Sequence, residues 1–195
     1  MKPSHSRSKV CSLHKVSRRR ILKLGLLTMA AAFAPAKAIA SLKETVPGKK
    51  LALYNAHTEE HLETVFWKNG AYQPEALAKI NHLLRDVRSG EETEIHTELL
   101  DLLHALQKRL KCQEPFFIVS GYRTPLTNAL LRQHKKGVAK NSLHMYGMAA
   151  DLRLPGYSLR AVRETAITLQ MGGVGYYPRS QFIHVDVGEP RYWYG

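Results

Sequence analysis

A chain of 195 residues with 29 Lys and Arg against 16 Asp and Glu carries a formal net charge of +13, a balance that would suit a nucleic-acid partner. Nine of those cations (Lys2, Arg7, Lys9, Lys15, Arg18, Arg19, Arg20, Lys23 and Lys37) fall in the first 40 residues, which hold no acid, so 20 cations face 16 acids beyond them and the net there is +4. That modest balance, with no basic helix or aromatic-basic stripe, argues against a nucleic-acid partner while still suiting an anionic polymer.

Residues 1–40 read as a leader rather than as part of the fold. Ser17-Arg18-Arg19-Arg20-Ile21-Leu22-Lys23 precedes an apolar run over 24–34, and Ala36-Lys37-Ala38 or Ala38-Ile39-Ala40 offers a small-x-small cleavage site. The pattern is similar to a twin-arginine export signal, with Ile21 in a slot usually aromatic. The apolar run is shorter than the ~20 residues a membrane span needs and Pro35 closes it, so no stable span is expected after cleavage. The expected partner of this segment is the twin-arginine export machinery, and the expected destination the periplasm or cell envelope. What remains, residues 41–195, has the length of one domain. Cys11 lies in the leader and Cys112 stands alone beyond it, so no disulfide joins the rest of the chain to itself.

After a polar lead-in over 41–50, a short strand is expected over 51–54. Leu77, Ile80, Leu83, Leu84 and Val87 predict a helix over 72–88, and the leucines of 97–110 a second, both as scaffold. The apolar run 116–119 reads as a buried strand. Thr124 then caps a helix that begins at Pro125 and runs to 134. A strand over 149–154, a helix over 159–169 and a pair of strands over 174–177 and 182–187 complete an α+β fold, helices on a small, mainly antiparallel sheet.

The chemistry gathers in Ser142-x-His144-x-x-Gly147-x-Ala149-x-Asp151 and, some thirty residues on, Phe182-Ile183-His184-Val185-Asp186. These segments supply two imidazoles and a carboxylate, the number and kind of ligands a catalytic zinc keeps while leaving one position open. Gly147 lets the backbone turn, and His184 and Asp186, two apart on a strand, share a face. A second metal pattern, His57-x-x-Glu60-His61, matches an inverted zincin motif, but it follows a strand directly instead of lying on a helix. Cys112 and Ser120 lack any surrounding nucleophile pattern, and Gly172-Gly173-Val174-Gly175 lacks the lysine of a phosphate loop and more simply shapes a sheet edge or cleft wall.

With Ser120-Gly121-Tyr122-Arg123-Thr124 added, the set resembles the zinc D-Ala-D-Ala carboxypeptidase superfamily, which includes VanX-type dipeptidases and murein endopeptidases, and within it the exported YcbK-like branch. The resemblance covers most of the chain beyond the leader. It implies one zinc ion held by His144, Asp151 and His184, with Arg123 stabilising the oxyanion of the scissile amide, and it implies hydrolysis of peptidoglycan stem peptides or their cross-links. Tyr122, Tyr146, His57 and Arg191 are the expected substrate contacts, with Trp193 a further candidate. One departure matters. The dipeptidase branch has a general-base glutamate three residues before the last histidine, where this chain has Gln181, which cannot take a proton. Asp186 is the nearest ionisable replacement, either as that base or as an acceptor that orients a ligand histidine. A zinc-containing murein- or protein-binding module of the same fold, without hydrolytic activity, is the alternative reading.

Overall fold

The computed structural model describes residues 48–135 and 137–195; the expected leader and its export motif lie outside them. β1 (Lys49–Asn55) pairs antiparallel with β2 (His61–Lys68), which turns into β3 (Ala71–Tyr72). β2 and β3 are additions to the elements expected from sequence. The two residues linking them, Asn69 and Gly70, both have positive φ, 54° and 83°, the turn geometry whose twist matches that of flanking strands.

α1 (Pro74–Leu83) stops short of the 72–88 periodicity. Tertiary contacts capture the chain beyond it. The Leu84 carbonyl accepts the Tyr122 N–H at 2.7 Å, and Asp86 turns inward to bind Thr124. α2 (Thr97–Leu110) has its expected bounds. β4 (Phe116–Ser120) leads to α3 (Pro125–His134), whose cap is as expected, Thr127 N–H donating to Thr124 Oγ1 at 3.1 Å. A 3-10 turn (Leu143–Tyr146) precedes β5 (Ala149–Arg153). α4 (Leu159–Leu169) follows, with Ser158 Oγ accepting from Ala161 N–H at 3.2 Å. β6 (Gly173–Tyr177) and β7 (Phe182–Asp186) form the expected pair, and β8 (Arg191–Tyr194) is a further strand.

The strands make one eight-stranded sheet in the order β3-β2-β1-β4-β5-β7-β6-β8, antiparallel except for β1 with β4 and β6 with β8. It is larger than the small sheet expected, because β2, β3 and β8 extend its edges. Leu51, Leu53, Phe116, Ile118, Ala150, Leu152, Ile183 and Val185 form one buried cluster with Leu99, Leu100, Leu103 and Leu106 of α2 and Val162 and Ala166 of α4. Each of the larger side chains contributes about 1.5–3 kcal/mol of burial, which commits that face of the sheet to the helices. Strand alternation then sends Asp151, His184 and Asp186 to the opposite face. Register does the rest, since Asp151 sits directly opposite His184 across the β5–β7 ladder. An irregularity between Ile118 and Ser120 shifts the β4–β5 register so that Ile118 pairs with Leu152 but Ser120 with Asp151, re-aiming Ser120 towards the polar face. Among the described residues, no helix is long and apolar enough to cross a membrane.

Candidate metal centre

His144 comes from the 3-10 turn rather than from a strand, and Gly147 makes that turn possible. Gly147 has φ +67°, and a Cβ on it would sit 2.4 Å from the Glu94 carbonyl oxygen. The His144 ring is almost fully buried, and its Nδ1–H donates to the Gly121 carbonyl at 2.7 Å, which leaves the Nε2 lone pair pointing into the cluster. On the other side His184 Nε2–H donates to Asp186 Oδ2 at 2.9 Å, so its Nδ1 lone pair also points inward. His144 Nε2 and His184 Nδ1 are 3.1 Å apart, and Asp151 Oδ1 lies 3.2 Å from the first and 2.9 Å from the second. Three acceptors thus converge in a buried space with no donor between them when both rings are neutral. Such a set repels itself unless a cation fills it. Among the described residues it is the one group of His, Cys, Asp and Glu whose ligand atoms converge in this way.

The surrounding electrostatics favour that use. Burial pushes the His144 pKa down, against the pull of Asp151, and keeps the ring neutral. Burial would also raise the Asp151 pKa, yet the imidazoles and the Arg123 guanidinium together hold it well below the usual carboxylate range. For His184, burial is outweighed by hydrogen bonds to Asp151 and Asp186, and its basicity rises. Arg123 is fixed at both ends of its guanidinium, Nε donating to Ser120 Oγ at 2.8 Å and Nη2 to Asp151 Oδ2. Asp151 therefore offers Oδ1 to the cluster and Oδ2 to Arg123.

Asp186 has no exposed surface and lies behind His184, against the nitrogen that faces away from the cluster. Its oxygens accept from His184, from Arg191 Nη1 and Nη2 at 3.0 and 2.7 Å, and from the N–H groups of Gly173 and Gly188 at 3.1 and 2.9 Å. Burial opposes its ionisation, but these donors hold its pKa far below the ordinary value. Gln181, at φ 57°, is exposed and donates to the Pro178 carbonyl, away from the cluster.

The cluster opens on a cleft of about 690 Å³. Tyr122, His57, Arg191 and Trp193 line it; Tyr146 is 54% exposed and is not among the residues that do. His57 is held by Nε2–H donating to the Val119 carbonyl at 3.0 Å. It belongs to the turn after β1, whereas His61 opens β2 and packs on the Tyr54 ring at 4.5 Å, so the His57-x-x-Glu60-His61 pattern lies on no helix and its histidines do not converge. Trp193 packs against His184 with ring centroids 5.2 Å apart, in space that Gly175 leaves open, since a Cβ there would come within 2.6 Å of the indole. Two contributors have roles that no sequence motif reveals. Ser120 fixes Arg123, and Asp86 fixes the turn that carries it, accepting from Thr124 N–H at 2.8 Å and Thr124 Oγ1–H at 3.0 Å. The shifted β4–β5 register is invisible in the sequence, and Asp86 looks there like a polar position on a helix.

Fold and site together define an α+β domain with a buried His-Asp-His cluster that could hold a metal ion, on the open face of its sheet. Residues 43–193 match the family Peptidase_M15_2, described as peptidoglycan L,D-endopeptidase MepK, and the chain belongs to that family. It is 41% identical over 177 residues to the peptidoglycan L,D-endopeptidase MepK of Escherichia coli (strain K12), covering 91% of this chain and 97% of that protein. It is 35% identical over 180 residues to a Haemophilus influenzae protein named "Probable peptidoglycan L,D-endopeptidase MepK", covering 92% and 96% respectively.

Proposed function

We propose that this protein is an exported zinc endopeptidase that cuts peptide cross-links in peptidoglycan, of the L,D type named for its relatives. The observation that carries the reading is the inward convergence of three acceptors, His144 Nε2, Asp151 Oδ1 and His184 Nδ1, at the floor of a cleft large enough for a peptide. Two imidazole nitrogens and a carboxylate oxygen, 2.9–3.2 Å from one another, are the donor set that would hold a catalytic zinc. Zinc in that position supplies a Lewis acid and an acidified water at neutral pH.

The chain's own residues do the remainder. Arg123, immobilised by Ser120 and Asp151, aims a guanidinium at the site where negative charge develops on the scissile carbonyl oxygen, and it needs no reorganisation to do so. Asp186 holds His184 by its outer nitrogen, fixing ring orientation and tautomer, and Arg191 with the Gly173 and Gly188 N–H groups holds Asp186. Of the two roles open to Asp186, orientation fits better than proton transfer, because its oxygens already accept from five donors and none of its surface is exposed. Trp193, Tyr122 and His57 line the walls on which a peptide would lie. The Arg18-Arg19 motif and the cleavage site behind it support export by the twin-arginine route to the periplasm, where murein is found.

The test is to quantify zinc in the purified protein and to incubate it with intact murein sacculi, separating released muropeptides by mass beside a His144→Ala control. Zinc near one per chain, with cross-link cleavage lost in the variant, bears out the reading. Bound zinc without products overturns it in favour of a binding module, the reading that Gln181, turned away from the cluster, favours.

A further inference from the structure

Five cations line the cleft: Arg85, Arg88, Arg123, Lys135 and Arg191. Three are committed to acids on the protein, Arg85 to Glu60, Arg123 to Asp151 and Arg191 to Asp186. Arg88 and Lys135 have no acidic partner within 4.0 Å among the described residues. The remaining acid of the cleft wall, Asp86, does not neutralise them from the solvent side. It is 2% exposed and its oxygens are turned onto Thr124 and the Arg88 N–H.

Both cations stand on braced backbone. Arg88 sits in a closed loop, its N–H donating to Asp86 Oδ1 at 3.0 Å, Gly90 N–H to the Asp86 carbonyl at 2.7 Å and Asp86 N–H to the Glu91 carbonyl at 2.9 Å. Lys135 directly follows α3 on extended backbone, its N–H donating to the Leu131 carbonyl at 2.8 Å, and Thr127, Leu131 and Lys135 all line the cleft. Eight residues at 1.5 Å each put Lys135 about 12 Å along the helix from Thr127, which neighbours the Arg123 turn. An extended peptide spans about 3.3 Å per residue, so that distance corresponds to roughly three or four residues of substrate. A peptide lying along this helix would bring to Lys135 a group well removed from the Arg123 turn.

We propose that Arg88 and Lys135 form an anion-recognising rim of the cleft that takes free carboxylates of the bound peptide. The proposal deepens the peptidase reading and rests on it for the substrate class. A planar guanidinium and a mobile ammonium, both free of internal partners, match a carboxylate at a chain terminus or on a side chain. The rim makes the cleft selective for stem peptides whose carboxylates are free over the same peptides amidated.

The experiment uses the full-length chain and a linear stem peptide, which has no cross-link to cut, in two forms: carboxylates free and carboxylates converted to carboxamides. Equilibrium binding is read by calorimetry. The wild type is expected to bind the free form about tenfold more tightly, a gap that shrinks as salt screens it. In the Arg88→Gln/Lys135→Gln double variant the gap closes, since removing the cations and removing the carboxylate delete the same interaction. Equal binding of the two peptides by the wild type, or a gap that survives in the double variant, overturns the rim. Cleavage of a cross-linked stem-peptide dimer is measured beside it. A binding gap without cleavage would sink the endopeptidase reading and leave the rim standing, whereas cleavage without a gap sinks the rim alone.

Discussion

Replacing Asp86 by Ala should destabilise this domain more than any surface position near the cleft. The carboxylate is 2% exposed and accepts from Thr124 N–H, Thr124 Oγ1–H and Arg88 N–H at 2.8, 3.0 and 3.0 Å. A hydrogen bond to a charged group contributes about 1.5–3 kcal/mol, and the two donors of Thr124 are themselves buried, so truncation leaves them unpaired at about 3–5 kcal/mol in total. For a domain of this size that is a fall in Tm of about 10 °C. Asp86→Asn retains one oxygen for Thr124 and turns an NH2 towards the Arg88 N–H, at a cost of about 1–2 kcal/mol.

The wild type also separates from both variants by pH. Burial alone would raise the Asp86 pKa, but hydrogen bonds from Thr127, Thr124 and Arg88 outweigh it and hold the pKa below 3.8. A carboxylate with a depressed folded pKa stabilises fully above its unfolded value of about 3.9, and that stabilisation is lost as pH falls through the folded value. The gap between wild type and Asp86→Asn should therefore stay constant from pH 7 down to about 5 and narrow below about 4. Urea denaturation across this range measures it. Asp86→Ala within 1 kcal/mol of wild type at pH 7, or an Asn gap that widens in acid, would refute the argument.

Substitution of His144 by Ala should empty the metal centre, read as loss of bound zinc by mass spectrometry, while His57→Ala should leave the zinc in place. Asp186→Asn should weaken zinc affinity about 10–100-fold through His184, as loss of an orienting partner typically does, with turnover recovering at saturating zinc; turnover abolished with zinc fully bound would instead make Asp186 the proton acceptor. Arg123→Gln should lower kcat about 10²–10³-fold on a cross-linked muropeptide with little change in KM, the signature of a donor used mainly in the transition state. Gly175→Val should displace the Trp193 indole, since even a Cβ there comes within 2.6 Å of it, and the shift should appear in the tryptophan fluorescence emission.

The sequence by itself determined the candidate ligand types and most of the helical scaffold. Apolar positions at helical spacing are a local property, so 97–110 and 159–169 were legible to the residue, as was the Thr124-Pro125 cap. The hairpin that turns at Asn69-Gly70 was not among the expected elements, because the half-exposed run before it, His61–Lys68, carries no continuous apolar stretch that would mark it as a strand. The tertiary structure decided everything that depends on which strand neighbours which. Alternation says that His184 and Asp186 share a face, but only the β5–β7 register sets Asp151 opposite His184, and only the parallel pairing of β8 with β6 brings Arg191 onto Asp186. Likewise α1 ends at Leu83 because the turn after β4, distant in sequence, binds Leu84 and Asp86 more favourably than another helical turn would. Side-chain direction follows from local backbone geometry, whereas register and strand order are set by burial summed over the whole sheet, and the candidate metal centre is built from both.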